Sequence, residues 1–373
     1  PGGGGGGGEP CLQESPLPPH PNPLPSGERE RAVRVGRKSA QMTVREKIAC
    51  LGAGRMGRGI AVVFAYAGHP VAVVDFKPRP KADFDKLAGE ALSEVKRTLE
   101  SLAKLGLFDA ALVETIAKRV TVVPESEASA ALSSADVIFE GIPEVLDLKR
   151  DVLARASQLA GEKPIVASTT STILVDDLSS AVANPERFLN AHWLNPAYLV
   201  PLVELSPGAH TAPATTDKLK ALLERTGKVP VVCAARPGYI VPRIQALAMN
   251  EAARMVEEGV ASPEELDKAI KYGFGFRFAV LGLLEFIDWG GGDILYYASR
   301  YLTEALGNER YKAPEIIERN MKEGRIGLTT RQGFLNYEGR DLDAYRAERM
   351  KEFISMLGFL DLVKPPVGDG DEA

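Results

Sequence analysis

Cysteine is scarce in this sequence: Cys11, Cys50 and Cys233 are the whole complement of a 373-residue chain. Three is odd and sparse, which argues against a disulfide framework and fits a reducing, cytoplasmic setting. Long apolar runs are missing too. None approaches the roughly 18 uninterrupted residues of a membrane helix, so no membrane partner is expected. Positive charge is in deficit, with 45 Lys and Arg against 50 Asp and Glu and a formal net charge of −5. Without a basic field, nucleic acid is not an expected partner. No metal is expected either. Hydrophobic residues at 45% and charged residues at 25% exclude a mostly disordered chain, a coiled coil and a collagen-like repeat.

Glycine and proline are plentiful but uneven. Nine of the 36 glycines and eight of the 26 prolines fall in residues 1–41. That segment has no apolar periodicity and almost no large hydrophobic residue, so it cannot offset its own ordering entropy and is expected to be a disordered tail. Its PLPPHPNPLP stretch has the composition of a polyproline ligand. It lacks the apolar core of a secretory signal. PHPNPLPSGERE resembles translated bacterial repeat DNA, and we expect the natural start at Met42. Residues 365–373, PPVGDGDEA, read as a second tail. Between them we expect a domain over 45–234 and a helical one over 235–364.

Ordered structure begins with Ile48–Leu51, a short apolar run suited to a buried parallel strand. Gly52-Ala53-Gly54-Arg55-Met56-Gly57 follows, then helical spacing over 55–67, a break at Gly68, a strand over 71–74 and Asp75 at its end. A lone G-x-G-x-x-G is weak, but strand before, helix after and acid at the next strand end are the context of a dinucleotide site. Gly52 permits the tight turn, Gly54 lets backbone approach a pyrophosphate, and Gly57 lets helix pack on strand. Arg55 and Met56 open the helix whose N–H groups face the phosphates. Asp75 suits the ribose hydroxyls of NAD and repels the extra phosphate of NADP, with Lys77 and Arg79 softening that preference. Further alternation follows: helices over 81–105, 110–119 and about 144–159, and strands at 120–123, 136–139 and 164–168. The fold class expected is α/β, a Rossmann-like, doubly wound parallel sheet followed by an all-α dimerisation domain. Glu144 and Ser168–Thr172 follow strand ends, where such sheets bind ligands.

Phe188–Trp193 reads as a strand with His192 at its end, and Leu202–Leu205 as another carrying Glu204. A loop joining them can bring the two side chains together. An alcohol dehydrogenase needs a base for the hydroxyl proton, and imidazole suits it. A carboxylate on its other nitrogen sets the tautomer, and a hydroxyl such as that of Ser171 can hold the reacting oxygen. Of the other histidines, His20 lies in the tail, His69 in a remote turn and His210 in a polar loop. A satisfied strand-end histidine is the competing reading.

Together, GAGRMGRG, FEGIPEVLDLK, STTST, AHWLNPAYLVPLVEL, PGYIVPRI and GLTTRQGF resemble the 3-hydroxyacyl-CoA dehydrogenase family from about Lys47 to Tyr337. The resemblance implies a Rossmann domain, a helical domain that makes a homodimer, NAD as cofactor, and oxidation of an L-3-hydroxyacyl-CoA to the 3-ketoacyl thioester. It implies His192 as base, Glu204 as its partner and Ser171 as the contact to the substrate oxygen. It places Glu144 and Lys149 near the nicotinamide and Asp75 at the adenosine ribose. Asn195 is assigned to the substrate.

The departures from the family pattern are specific. Pro242 stands where the family usually has Asn and cannot copy an amide. Gly327-Leu328-Thr329-Thr330 lacks the family's lysine. GFGFRFAVLGLLEF, residues 273–286, looks more like the gulonate dehydrogenase, lambda-crystallin and carnitine dehydrogenase branch, which oxidises free hydroxy acids. Arg277 would then hold a substrate carboxylate, although a surface or interface arginine explains it equally. A CoA 3′-phosphate would instead use Lys96, Arg97 and Lys104 on the long helix, residues that otherwise read as a solvated face. A buried Arg277 beside His192 favours an acid; a basic patch favours CoA. A non-catalytic NAD-binding structural protein is the third reading. Helices are expected over 239–258, from a Ser262 N-cap, over 279–288, 293–306, 314–322 and 342–356. The AVLGLLEFI run is too apolar for a small exposed domain and is expected to bury at a two-fold interface.

Overall fold

The computed structural model describes residues 45–364 and Pro366. The expectations for 1–41, for a start at Met42 and for all of 365–373 except Pro366 fall outside the described residues. The chain forms two compact units, one running to Tyr239 and the other starting at Ile240. Among the described residues, no helix is long and apolar enough to cross a membrane.

The first unit is built on one eight-stranded sheet of order β3-β2-β1-β4-β5-β6-β7-β8. The strands are β1 (Ile48–Leu51), β2 (Val71–Asp75), β3 (Val120–Pro124), β4 (Val137–Glu140), β5 (Ile165–Ser168), β6 (Phe188–Trp193), β7 (Leu202–Pro207) and β8 (Val229–Val232). Every residue of β1, β4, β5 and β6 is buried. The apolar runs of β1, β4 and β5 are unbroken until the last residue because helices cover both faces. Ile48 and Cys50 face one core with Ile60, Val95, Leu99 and Leu219. Ala49 and Leu51 face the other with Leu132, Leu153 and Leu178. The covering helices are α1 (Arg55–Tyr66), α2 (Lys81–Lys104), α3 (Val113–Ala117), α4 (Ala128–Ser134), α5 (Leu146–Ala160), α6 (Val175–Ser179) and α7 (Pro213–Arg225).

The sheet is parallel as expected except at one place. β6 and β7 pair antiparallel, while β7 and β8 are parallel to each other. The link 194–201 is too short for a crossover, which takes a dozen residues or more. Helices α4, α6 and α7 lie where no helix was expected, and the helix expected over 110–119 begins as a 3-10 turn, Ala110–Leu112, capped by Asp109. Cys233 lies just past the end of β8.

The second unit is helical: α8 (Val241–Glu257), α9 (Pro263–Ala269), a π-helical stretch Ile270–Gly275, α10 (Phe276–Val280), α11 (Leu283–Gly290), α12 (Gly292–Ala305), α13 (Glu315–Lys322) and α14 (Leu342–Phe359). Ser262 caps α9 as expected, accepting from Glu265 N. The helix expected over 279–288 is two, broken where Leu281 turns extended. Pro242 sits in the first turn of α8, where a missing N–H costs nothing. The GLTTRQGF loop is structural. Asp288 is buried and accepts from Phe334 N and Leu335 N at 2.9 and 2.8 Å. A Cβ at Gly333 would lie 2.0 Å from its carboxylate.

Candidate functional site

The first half of the site lies at the carboxyl ends of β1, β2 and β4, where the strand order reverses. Chains leaving β1 and β4 diverge there and open a crevice. Gly52 takes φ +96°, and a Cβ on Gly57 would stand 2.1 Å from the Gly52 carbonyl oxygen. The loop and α1 therefore close only with glycine at both positions. Gly54 is different: nothing lies within 4 Å of where its Cβ would be, so its bare backbone faces open space. A cleft of about 630 Å³ follows, lined by Gly52, Gly54, Asp75, Arg79, Ile142 and Arg155 among others, a size ordinary for small-molecule sites. Buried Asp75 receives Arg79 Nε on Oδ2 at 2.6 Å. Arg55 is exposed beside the loop, and Met56 packs on the core. The open backbone at Gly54, the helix end behind it and an acid at the far wall fit a dinucleotide.

The second part is a polar cluster beyond β4 and β5. Glu140 is 0% exposed and Lys149 1%, joined at 2.7 Å. Glu140 also accepts from Ile142 N at 2.8 Å and Ser168 Oγ at 2.5 Å. Lys149 Nζ further reaches Ile142 O at 3.2 Å and Glu144 at 3.3 Å. The three N–H groups of Lys149 are thus spent inside the protein, on Glu140, Ile142 O and Glu144. Glu144 gathers the hydroxyl segment. Its Oε1 accepts from Thr170 Oγ1 at 2.5 Å, Ser171 N at 2.9 Å, Thr172 N at 3.1 Å and Thr172 Oγ1 at 3.0 Å. Burial alone would raise this carboxyl, but the Thr170 hydroxyl, the Lys149 charge and the Thr172 and Ser171 donors hold it down at about 2. Exposed Ser171 is thereby presented with its backbone fixed.

The third part follows from the antiparallel pairing. His192 and Glu204 are direct cross-strand partners, and His192 Nδ1 lies 2.8 Å from Glu204 Oε2. An ionised carboxylate only accepts, so the Nδ1 proton points at Glu204 and Nε2 keeps its lone pair. Glu204 is fully buried. Asn195 is exposed on the loop after β6. Buried Lys228 pins that loop by donating to Ala197 O and Val200 O at 2.6 and 2.8 Å. A smaller cleft of about 170 Å³ is lined by Arg55, Arg58, Glu94, Thr98, Asn195 and Tyr198 among others.

Of the two readings of Arg277, the exposed arginine is the one observed. It is exposed in the second unit, donates to Gly273 O at 3.0 Å and stacks on Phe286. Sequence reasoning placed Thr170 and Thr172 at the site within Ser168–Thr172 but gave them no partner, and it missed Arg58, Asn190 and Tyr239. GAGRMGRG, the Phe188–Trp193 strand and PGYIVPRI contain these residues, but none of them says which side chain meets which.

Residues 47–236 match the 3-hydroxyacyl-CoA dehydrogenase NAD binding domain, and residues 238–337 match the C-terminal domain of the same family. The chain is 31% identical over 315 residues to 5-formyl-3-hydroxy-2-methylpyridine 4-carboxylate 5-dehydrogenase of Mesorhizobium japonicum, covering 84% of this chain and 98% of that one. It is 30% identical over 291 residues to 3-hydroxybutyryl-CoA dehydrogenase of Clostridioides difficile, covering 78% and 99%. Among solved structures, a 3-hydroxyacyl-CoA dehydrogenase of Archaeoglobus fulgidus superimposes with a TM-score of 0.66 at 30% identity, over 86% of this chain and 100% of that one. With both of its domains matched and a nucleotide cradle in place, the chain belongs to the 3-hydroxyacyl-CoA dehydrogenase family and is an NAD-dependent dehydrogenase.

Proposed function

We propose that the protein oxidises the 3-hydroxyl of an L-3-hydroxyacyl-CoA, of the 3-hydroxybutyryl-CoA kind, to the 3-keto thioester. The observation that carries this reading is the His192–Glu204 pair at 2.8 Å, with the imidazole oriented by a buried carboxylate. His192 Nε2 takes the hydroxyl proton, and Glu204 stabilises the imidazolium that results. The Ser171 hydroxyl binds the same oxygen, and Glu144 keeps the segment bearing it in place. Bound NAD supplies the acceptor for the hydride leaving the carbon. Gly52, Gly54 and Gly57 give its pyrophosphate a close approach, Arg55 and Met56 begin the helix facing it, and Asp75 meets its ribose. Glu144 serves the nicotinamide end, with Lys149 behind it. Exposed Arg97 and Lys104 on α2 support a CoA phosphate; Lys96 is instead ion-paired with Glu114.

One observation favours a free L-3-hydroxy acid, gulonate- or carnitine-like. The cleft beside Asn195 carries exposed Arg55 and also Arg58, whose Nε is buried without a partner while its Nη1 pairs with Glu94 at 2.6 Å. Two guanidinium groups there suit a carboxylate. NADH absorbance with acetoacetyl-CoA, and then with NAD and a panel of free 3-hydroxy acids, decides between the two. Turnover of neither class refutes both, and full activity in His192→Gln refutes the base assignment.

We also infer a homodimer through the second unit. Helix α8 buries none of its residues, and Leu247 and Tyr301 are each 70% exposed. Apolar exposure on this scale marks an interface. A monomeric mass at micromolar concentration by sedimentation contradicts it. The free thiols Cys50 and Cys233 support a cytoplasmic setting.

A further inference from the structure

Tyr239, the last residue of the first unit, has a backbone conformation that side chains rarely take, φ +45°. For a bulky residue this is an outlier, and it persists only where the surroundings over-determine it. The surroundings of Tyr239 do so. Its ring lies against the His192 imidazole, centroids 4.9 Å apart and planes inclined by 19°. Its hydroxyl donates to Thr170 O at 2.9 Å and accepts from Asn190 Nδ2 at 3.1 Å. Asn190 precedes His192 by two residues on β6, so both side chains leave the strand on one face. The same Asn190 amide donates to Ile173 O at 2.9 Å.

The sheet pairs β5 with β6 only as far as Ser168 opposite Asn190, and these contacts carry the tie past the end of that ladder. His192 belongs to β6, whose position is set by its ladders with β5 and β7. Ser171 lies three residues beyond the end of β5, outside any ladder. For both groups to face one substrate oxygen, that loop must be tied to the histidine. Glu144 fixes the loop from the β4 side, and Tyr239 fixes it from the β6 side.

We propose that Tyr239 is a positioning residue, a clamp whose ring holds the His192 imidazole and whose hydroxyl holds the Thr170–Ser171 segment, so that base and Ser171 converge on the same oxygen. The proposal rests on the roles given above to His192 and Ser171. Burial pushes the phenol above its ordinary range, so the hydroxyl remains a donor to Thr170 O at any working pH. The ring face also favours the imidazolium formed when His192 takes the proton. With its oxygen engaged on both sides, Tyr239 is no proton donor to substrate. Phenylalanine would keep the stack but release the loop. Leucine would lose both.

The test has two arms on the full-length protein. In the first, imidazole C–H signals are recorded by NMR. The chain has four histidines, and His192→Gln identifies the signal of His192. The Tyr239 ring current should hold that signal upfield. Tyr239→Leu should release it, and Tyr239→Phe should keep most of the displacement. In the second arm, Tyr239→Phe should lower kcat about tenfold and Tyr239→Leu about a hundredfold, with KM and the NADH Kd changed less than about twofold, the signature of lost orientation rather than lost binding. A merely structural residue would weaken NADH binding and stability without that split. An unmoved His192 signal in Tyr239→Leu overturns the clamp whatever the substrate is. A moved signal with unchanged kcat in both variants overturns the positioning role and leaves the reaction assignment standing. No turnover by the unaltered protein overturns the reaction assignment and the catalytic half of this proposal, while the spectrum still decides the stack.

Discussion

Replacing Lys149 by methionine keeps the length of the side chain and deletes its charge. Glu140 is then left in the interior with two neutral donors, Ile142 N at 2.8 Å and Ser168 Oγ at 2.5 Å, and no cation. Both partners of the original pair are essentially inaccessible, at 0% and 1% exposed. Breaking such a pair costs about 3–5 kcal/mol, because the surviving charge is uncompensated, whereas removing both charges is often close to neutral. For a unit of roughly 195 residues, 1 kcal/mol moves Tm by about 2–4 °C. Lys149→Met should thus lower the melting temperature by about 6–20 °C. Adding Glu140→Gln should recover most of that loss, since the amide oxygen still accepts from Ile142 N or Ser168 Oγ. Thermal melts of wild type, both single variants and the double variant, followed by circular dichroism, complete the cycle. A double variant no more stable than Lys149→Met, or a Lys149→Met loss below about 1 kcal/mol, would refute the idea that the pair exists to neutralise a buried carboxylate.

Gly57→Ala would place a methyl 2.1 Å from the Gly52 carbonyl; the loop must move, and NADH affinity by fluorescence titration should fall at least about tenfold, unchanged affinity counting against the cradle. Asp75→Ala frees Arg79 from its 2.6 Å bond and should raise the NADP-to-NAD ratio of kcat/KM about tenfold or more, about 1.4 kcal/mol; an unaltered ratio means Asp75 does not read the ribose. The Glu144 carboxyl is held at about 2 in the fold, below its ordinary 4.5, so the stability it contributes is complete above 4.5 and is lost as the pH falls toward 2. Its side chain is 35% exposed, so screening reduces that contribution to about 1 kcal/mol. Urea titrations of Glu144→Gln should show this deficit at neutral pH and none near pH 2, and a deficit equal at both would place the effect in packing rather than charge.

The nucleotide half of the site was legible because its logic is local. Gly52, Gly54, Gly57 and Asp75 lie on one strand–helix–strand unit, where chain order dictates spatial order. The pairing of His192 with Glu204 was legible by a different route: two short strands with an eight-residue link have little choice but to meet. The same short link hid the exception, since it turns β7 against the direction of the rest of the sheet. The Lys149–Glu140 pair was not legible, because helical position says which way a side chain leaves the helix, not whether a buried Glu140 is waiting for it. The two readings of Arg277 stayed open for the same reason, and Pro242, a departure on paper, is an ordinary first-turn proline in α8.

The sequence by itself thus determined the α/β order, the nucleotide loop, the acid at the second strand end and the histidine–glutamate pair, all of which depend on residues close in the chain or on neighbouring strands. The tertiary structure alone decided that Glu140 neutralises Lys149, that Glu144 collects the donors of Thr170, Ser171 and Thr172, and that Tyr239 lies against His192 while bonding to Thr170. Those contacts join residues up to 69 positions apart. A pattern of residue types carries no record of such distances, because they are set by how the strands and helices pack rather than by any periodicity along the chain.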